Sequence, residues 1–294
     1  MQNLAVSSYF LKMSNQGLSK FSISSLIFGF GFLYVPILIL IVYSFNDSRL
    51  VTVWSGFSFK SYVELFEDQQ ILNAAWLSLK IAFLCACMSL ILGLMASLAL
   101  VRFGRFRGHL TFAGMITAPL VMPEVITGLS LLLLFVAMEQ ALGWPAGRGM
   151  LTIFIAHVTF STAFVTVILS SRLREVDRSI EEAAMDLGAS PLKVFFVITL
   201  PIISPALLAA WLLGFTLSLD DLVIASFVSG PGSTTLPMKV FSSVRLGVSP
   251  KINALATIII FLVSFGVLLA GWLSLRWEKK RKLETLQLAA ESSK

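Results

Sequence analysis

The chain has 294 residues, of which 57% are hydrophobic and only 13% are charged, and its mean hydropathy is +0.88. About a quarter of the residues in a soluble domain are charged, so this composition excludes a soluble globular protein and indicates a polytopic membrane protein. The net charge of +6 requires no nucleic-acid partner, because membrane insertion itself selects an excess of Lys and Arg in cytoplasmic loops.

Six apolar runs are long enough to cross a lipid bilayer, which predicts an all-α fold with six transmembrane helices. The runs cover residues 22–45, 74–101, 110–138, 150–171, about 202–228, and 253–276. The first run is longer than the apolar core of a signal peptide, and no small-x-small cleavage site follows it, so we expect a retained span. The transmembrane domain then covers residues 22–276, between an N-terminal segment of residues 1–21 and a basic tail of residues 277–294.

The distribution of basic residues predicts the orientation of the spans. If the N-terminus lies inside, the inner segments hold more than twice as many Lys and Arg residues as the outer loops. We therefore expect both termini and the loop of residues 172–201 in the cytoplasm.

Two longer loops are predicted on the outer side. The loop of residues 46–73 contains a predicted amphipathic helix. Its apolar side is formed by Phe59, Tyr62, Val63 and Phe66. This side fits either a helix that lies on the membrane surface or a docking surface for a soluble partner. Gly and Pro residues interrupt the loop of residues 229–252, which we expect to fold back toward the membrane interior.

The cytoplasmic loop of residues 172–201 predicts two short helices separated by a glycine turn. Ser179 is a favourable N-cap, and Glu182 three residues later completes a capping box. Gly188 is positioned to adopt the left-handed conformation that ends a helix. Ser190 caps the second helix, which continues into the next span.

The first of these helices has a surface with very little side-chain bulk. Ala183, Ala184 and Gly188 lie near one stripe, and the carboxylates of Glu181 and Glu182 flank it. This pattern favours a docking surface that basic residues of another protein can approach closely. The alternative is a plain connector packed against its own bundle. A DNA-reading helix-turn-helix is disfavoured, because the helix is acidic where phosphates require basic residues.

Three acidic residues, Glu124, Asp220 and Asp221, lie within the predicted spans. A charge at the centre of a span costs about 2.5 to 3.5 kcal/mol, so these side chains are expected to face a cavity, water or a partner. Pro119 and Pro123 are expected to kink the helix beside Glu124. Adjacent helical residues point about 100° apart, so one of the two aspartates is expected to have a structural role. An intramembrane hydrogen-bonded cap or an ion pair between subunits is the alternative for all three.

The sequence contains no motif typical of an enzyme. It has no phosphate-binding G-x-x-x-x-G-K-[ST] segment, so ATP would have to be bound by another chain. His109 and His157 lack a nucleophile at a suitable spacing, and a lone intramembrane histidine is typical of packing. Cys85 and Cys87 point to different faces of one helix and predict neither a disulfide nor a metal site. We expect no catalytic residue and no bound cofactor or metal.

The cytoplasmic loop resembles one family in detail. Glu182-Ala183-Ala184, Gly188, Ile198 and Leu200-Pro201 match the EAA-x3-G-x9-I-x-L-P loop of the membrane subunits of binding-protein-dependent ABC importers. The resemblance implies a MetI-like type I importer permease whose coupling helix is seated in a cleft of a cytoplasmic ATPase subunit. The coupling residues that it implies are Glu181, Glu182, Ala183, Ala184, Gly188, Leu200 and Pro201.

Further stretches between residues 34 and 272, such as "APLVMPEVITGLSLLLLF" and "FTLSLDDLVIASFVSGPGSTTLPM", resemble the polyamine permeases of spermidine/putrescine importers, most of all the second permease subunit of putrescine systems. The resemblance implies an inner-membrane subunit that pairs with a sister permease. It also implies two ATPase subunits that bind ATP and Mg, and a periplasmic polyamine-binding protein. In this setting Asp220, Asp221 and Glu124 would line the path of a flexible organic cation.

Two other functions remain open from the residues alone. A secondary transporter would use the intramembrane carboxylates as a proton relay and would need no ATPase. A membrane-tethered regulator would use the cytoplasmic helices to bind a signalling protein and would carry no substrate flux.

Overall fold

The computed structural model describes residues 20–48, 53–104, 106–246 and 250–265, together with positions 268, 272 and 276. The predicted N-terminal segment up to residue 19 and the tail of residues 277–294 lie outside the described residues. The described part is helical and contains no strand; a single bridge joins Asn46 and Phe57. The described residues divide into two compact units, one within residues 1–67 and 247–294 and the other within residues 68–246.

The first unit contains three described helices: α1 (Lys20–Tyr43), α2 (Lys60–Glu67) and α12 (Pro250–Phe265). Helix α2 is the amphipathic helix predicted for the outer loop. Its Tyr62 hydroxyl lies 2.7 Å from Ser44 Oγ, and its ring lies 5.2 Å from the Phe45 ring. The inner side of α2 therefore packs on its own chain, while Val63 and Phe66 remain exposed.

The second unit contains the other helices and carries the candidate site. Four of them have 19 residues or more, and the others are shorter. They are α3 (Gln69–Val101), α4 (His109–Val121), α5 (Glu124–Leu142), α6 (Met150–Glu175), α7 (Arg178–Asp186), α8 (Pro191–Val194), a π-helix (Phe195–Thr199), α9 (Leu200–Leu219), α10 (Val223–Val228) and α11 (Leu236–Leu246).

Helix α6 lies at the centre of this unit and packs against α3 and α9. Small residues allow the close approach that membrane helices need, since lipid supplies no hydrophobic driving force between them. A Cβ atom on Gly93 would lie 2.5 Å from Val165, and one on Gly214 would lie 3.1 Å from Ser89 Oγ. The packed core of the unit therefore depends on side chains that are absent or very short.

Among the described residues, five helical segments are long and apolar enough to cross a membrane: Phe21–Tyr43, Gln69–Val101, Glu124–Leu142, Met150–Glu175 and Pro191–Leu219. Helices α4 and α12 are apolar but shorter. The continuous described part of the sixth predicted span ends at Phe265, and beyond it only positions 268, 272 and 276 are described. The count of six spans therefore stays a prediction, while the helical character of the protein is confirmed.

The predicted span of residues 110–138 is broken into two helices where only a kink was expected. Helix α4 ends at Val121, Met122 is extended, and α5 begins at Glu124. Pro123 explains the break, because a proline disfavours helical geometry in the residue before it and donates no backbone hydrogen bond. Glu124 consequently lies in the first turn of a new helix, and Pro119 is accommodated inside α4.

The fifth predicted span, residues 202–228, is also interrupted. Helix α9 ends at Leu219, and the six-residue helix α10 begins at Val223. In the following loop, the backbone N–H of Leu236 donates to Ser78 Oγ at 2.8 Å, and Lys239 Nζ donates to Gln70 Oε1 at 2.6 Å. Helix α11 is thereby held against the N-terminal part of α3.

Candidate functional site

Helix α7 corresponds to the first helix predicted in the cytoplasmic loop, but its N-cap differs from the prediction. The cap is Asp177, whose carboxylate accepts the backbone N–H of Ser179 at 2.9 Å. The prediction of Ser179 as the cap is wrong, because α6 continues to Glu175 and the new helix begins directly after Asp177. Hydrogen bonds from the backbone and side chain of Ser179 lower the pKa of Asp177. Glu182 makes no capping hydrogen bond among the described residues.

The end of α7 confirms the predicted glycine turn. Gly188 has a φ of +86°, which a residue with a Cβ adopts only at a cost. The N–H of Gly188 donates to the carbonyl of Met185 at 2.9 Å, and the N–H of Ala189 donates to that of Ala184 at 3.1 Å. These two bonds form a Schellman motif, which satisfies the last carbonyls of α7. Ser190 then caps α8, as predicted.

The whole of α7 stays at the surface of the chain. None of its residues is buried, although Glu181 bonds to Arg102 and Thr199 of the same chain, so the docking surface stays a prediction. Leu187 is 90% exposed and Leu192 is 73% exposed, next to the exposed backbone of Gly188. Two exposed leucines beside a stripe of small residues form a surface typical of a protein–protein contact.

The neighbouring carboxylates of α7 have different environments. Glu181 Oε1 accepts hydrogen bonds from Arg102 Nη2 at 2.9 Å and from Thr199 Oγ1 at 2.7 Å. The side chains of Arg102 and Glu181 are only 13% and 15% exposed. Glu182 is exposed. Sequence reasoning placed both glutamates beside the docking surface, but only Glu182 is free to meet a partner.

The remaining residues of the loop motif lie where the loop re-enters the bundle. Leu200 and Pro201 are the first residues of α9, which follows the π-helix directly. Leu200 is half-buried and Pro201 is exposed. Pro201 fits the first turn of α9, where a missing N–H is tolerated.

The two intramembrane aspartates also differ. The Asp221 side chain is 8% exposed and caps α10, accepting the N–H groups of Ala225 at 2.7 Å and Ile224 at 3.3 Å. His157 Nε2 lies 3.1 Å from Asp221 Oδ2, and His157 Nδ1 lies 2.7 Å from Ser218 Oγ. An ionised Asp221 can only accept, so it would favour the tautomer in which Nε2 donates and Nδ1 accepts from the Ser218 hydroxyl.

Sequence reasoning treated His157 as a lone packing residue and missed these partners. They are 61 and 64 positions away along the chain, and no local pattern links them. The order Ser218, His157, Asp221 resembles a hydrolase triad. However, the serine and histidine are buried in the helix core, which leaves no space for a substrate beside the hydroxyl.

The other two predicted path residues are exposed. Asp220 follows the last turn of α9, and Glu124 begins α5. Glu124 makes no side-chain hydrogen bond among the described residues, whereas the Asp220 carboxylate accepts from its own backbone N–H and lies within electrostatic range of Asp221 and His157. The described residues contain no cluster of His, Cys, Asp and Glu that could hold a metal ion.

Known proteins resemble this chain over most of its length. It is 66% identical over 263 residues to the putrescine transport system permease protein PotI of Escherichia coli (strain K12), covering 90% of this chain and 94% of that protein. It is 42% identical over 233 residues to the spermidine/putrescine transport system permease protein PotC of Haemophilus influenzae, covering 79% and 88%.

A solved structure shares the fold at much lower sequence identity. A bacterial ABC transporter involved in the import of the acidic polysaccharide alginate gives a TM-score of 0.65 at 18% identity, covering 84% of this chain and 94% of that chain. The family model of the binding-protein-dependent transport system inner membrane component matches residues 89–282. The chain therefore belongs to the family of inner membrane components of binding-protein-dependent transport systems.

Proposed function

We propose that this chain is a permease subunit of an ATP-driven polyamine importer, with putrescine as its substrate. The identity of 66% to a protein named as a putrescine permease, over nearly the whole of both chains, supports this substrate. The lower identity of 42% to a spermidine/putrescine permease supports the wider polyamine class. The chain carries the substrate and leaves ATP hydrolysis to other subunits, in agreement with its family.

The observation that carries the proposal is the bare surface of α7. A helix with no buried residue, ended by Gly188 and followed by an exposed leucine, gains little from its own bundle. It gains burial when it enters a cleft of a partner. Glu182 points outward from the same helix and supplies a carboxylate for a basic residue of the ATPase subunit.

The complex would contain four kinds of component. A sister permease forms the translocation path with this chain, and two cytoplasmic ATPase subunits bind ATP and Mg and dock on the coupling helices. A periplasmic polyamine-binding protein delivers the substrate from outside. This arrangement places α7 and both termini in the cytoplasm, as the excess of basic residues in the inner segments supports.

Within the path, Asp220 is the residue best suited to contact the cation. Its carboxylate is exposed and accepts a hydrogen bond from its own backbone N–H, whereas Asp221 is occupied by His157 and the start of α10. Glu124 is equally exposed at the break between α4 and α5. A polyamine that loses its hydration shell needs carboxylates of this kind, and a few weak contacts also allow it to leave.

The family membership favours an ATP-driven importer over a proton-coupled secondary transporter or a regulator without transport. Proteoliposomes that contain this permease, its sister permease and the ATPase subunits test the choice. We expect labelled putrescine to accumulate only with ATP and the binding protein, and to do so when a protonophore removes the proton gradient. Uptake that persists without ATP and stops with the protonophore would contradict the proposal.

A further inference from the structure

Glu181 connects α7 to two membrane helices at once. Its Oε1 atom accepts from Arg102 at the end of α3, and from Thr199 at the end of the π-helix that leads into α9. Thr199 is buried and the ion pair with Arg102 is mostly screened from solvent. A hydrogen bond to an ionised acceptor in such a place is short, directional and strong. A displacement of Glu181 therefore acts on both helices.

Polar links, not apolar packing, hold α7 in place. None of its residues is buried, and an open pocket of about 420 Å³ beside it is lined in part by Leu98, Glu181 and Phe195. The second link is a hydrogen bond from Arg178 to the carbonyl of Val101. Both links end at the C-terminal end of α3, but only Glu181 also reaches the π-helix, through Thr199.

The segment that receives the second bond of Glu181 is a deformable one. Residues Phe195–Thr199 form a π-helix, in which the N–H of Leu200 donates to the carbonyl of Phe195 at its start. Single π-turns within α-helices are uncommon and frequently occur at functional sites. This π-turn lies between the short helix α8 and the long helix α9, where a rotation of α7 has to enter the membrane domain.

We propose that Glu181 is a positioning residue that transmits the displacement of α7 to the inner ends of α3 and α9 together. Its hydrogen bonds from Arg102 and Thr199 carry the displacement to these helices. Glu182, one position later, faces the ATPase subunit instead. This role rests on the proposed function, because it requires an ATPase that moves α7. Glu181 then acts as an internal strut, that is, a polar link between α7 and the two membrane helices. Glu182 makes an external contact instead.

The test compares Glu181→Gln with Thr199→Val in the complete transporter. A matched control is Glu175→Gln, which removes the same charge from an exposed pair with Arg172. The complex is reconstituted with its binding protein, and ATP turnover and putrescine uptake are measured on the same vesicles. We expect Glu181→Gln to keep the ATPase bound and hydrolysing while uptake per ATP falls about tenfold, because the neutral amide oxygen still accepts but lacks the charge that makes the bond from Arg102 strong. Thr199→Val should give a smaller fall in the same ratio, and the control should leave it unchanged.

Two results would overturn this role. An unchanged uptake per ATP in both variants would show that the strut transmits nothing. Loss of the ATPase subunit from the Glu181→Gln complex, with Thr199→Val unaffected, would make Glu181 a docking residue. If Glu181→Gln fails to assemble, the ratio in Thr199→Val decides alone.

Hydrogen exchange separates this inference from the proposed function. If the wild-type complex moves no putrescine, the substrate is wrong, but the strut still predicts faster exchange of the α7 amides in Glu181→Gln than in the wild type or the control. Equal exchange in all three proteins would refute the strut even if putrescine is transported.

Discussion

His157 Nε2 lies 3.1 Å from Asp221 Oδ2, and this contact distinguishes two aspartates that are neighbours in sequence. The histidine fixes Asp221 in the core between α6 and α10, and the backbone then turns Asp220 outward. One carboxylate is thus bound within the chain, and the other is exposed.

Replacing Asp220 should impair transport without harming the fold. We expect Asp220→Asn to lower the efficiency of putrescine uptake about tenfold or more, since a hydrogen bond to a charged group is worth about 1.5–3 kcal/mol. Uptake measured over a range of putrescine concentrations should show a raised half-saturation concentration, with normal amounts of assembled complex. Unchanged uptake would remove Asp220 from the path.

Replacing Asp221 should lower the stability of the fold, in contrast to replacing Asp220. Asp221→Ala leaves the His157 Nε2–H and two backbone N–H groups without an acceptor, which is expected to cost about 2 kcal/mol or more of stability. Thermal unfolding of the complex in nanodiscs measures this loss, with Asp220→Ala as the matched control. Equal melting temperatures for the two variants would contradict the structural role of Asp221.

Gly188 should not tolerate a side chain. Gly188→Ala places a Cβ on a left-handed residue, at a conformational cost of about 1–2 kcal/mol. No atom of the chain lies within 4 Å of that Cβ, so internal crowding adds nothing. We expect less ATPase subunit to co-purify with this variant, because the turn shifts and the docking face gains bulk.

The control for this experiment is Gly114→Ala in α4. Its Cβ also meets no atom within 4 Å, and its φ is not positive. Normal ATPase binding by Gly188→Ala would show that neither the turn nor the smooth face is needed for docking.

The start of α7 should depend on pH through Asp177. Hydrogen bonds from Ser179 hold the pKa of this carboxylate below its usual value of 3.8. The ionised form therefore stabilises the helix start above that value, and the contribution disappears as the pH falls through the lowered pKa. Exchange protection of the first α7 amides should decline over this acid range in the wild type, and should not do so in Asp177→Asn, whose amide oxygen accepts at any pH. Parallel curves for the two proteins would contradict the assignment.

Local signals in the sequence were sufficient for part of this site. The glycine turn at Gly188 and the cap at Ser190 were predicted correctly, because backbone conformation there depends on a few adjacent residues. The cap at Ser179 was predicted wrongly, because two good capping residues lie two positions apart and only the end of α6 decides between them.

Contacts between distant segments could not be predicted in the same way. The partner of His157 and the link from Glu181 to Arg102 join residues more than 60 positions apart. Pro123 is a local signal that predicted a kink beside Glu124, but it did not show that the helix would end at Val121 and a new one begin at Glu124. Apolar composition identifies membrane helices well and says little about where they are interrupted.

The uncovered leucines on either side of the glycine turn also affect the biogenesis of the protein. In the proposed complex, Leu187 and Leu192 form an apolar surface that faces the cytosol until an ATPase subunit covers it. A permease made in excess of that subunit carries a feature that cellular chaperones and proteases use to find incomplete proteins. Balanced synthesis of the subunits is therefore a requirement that follows from the shape of one short helix.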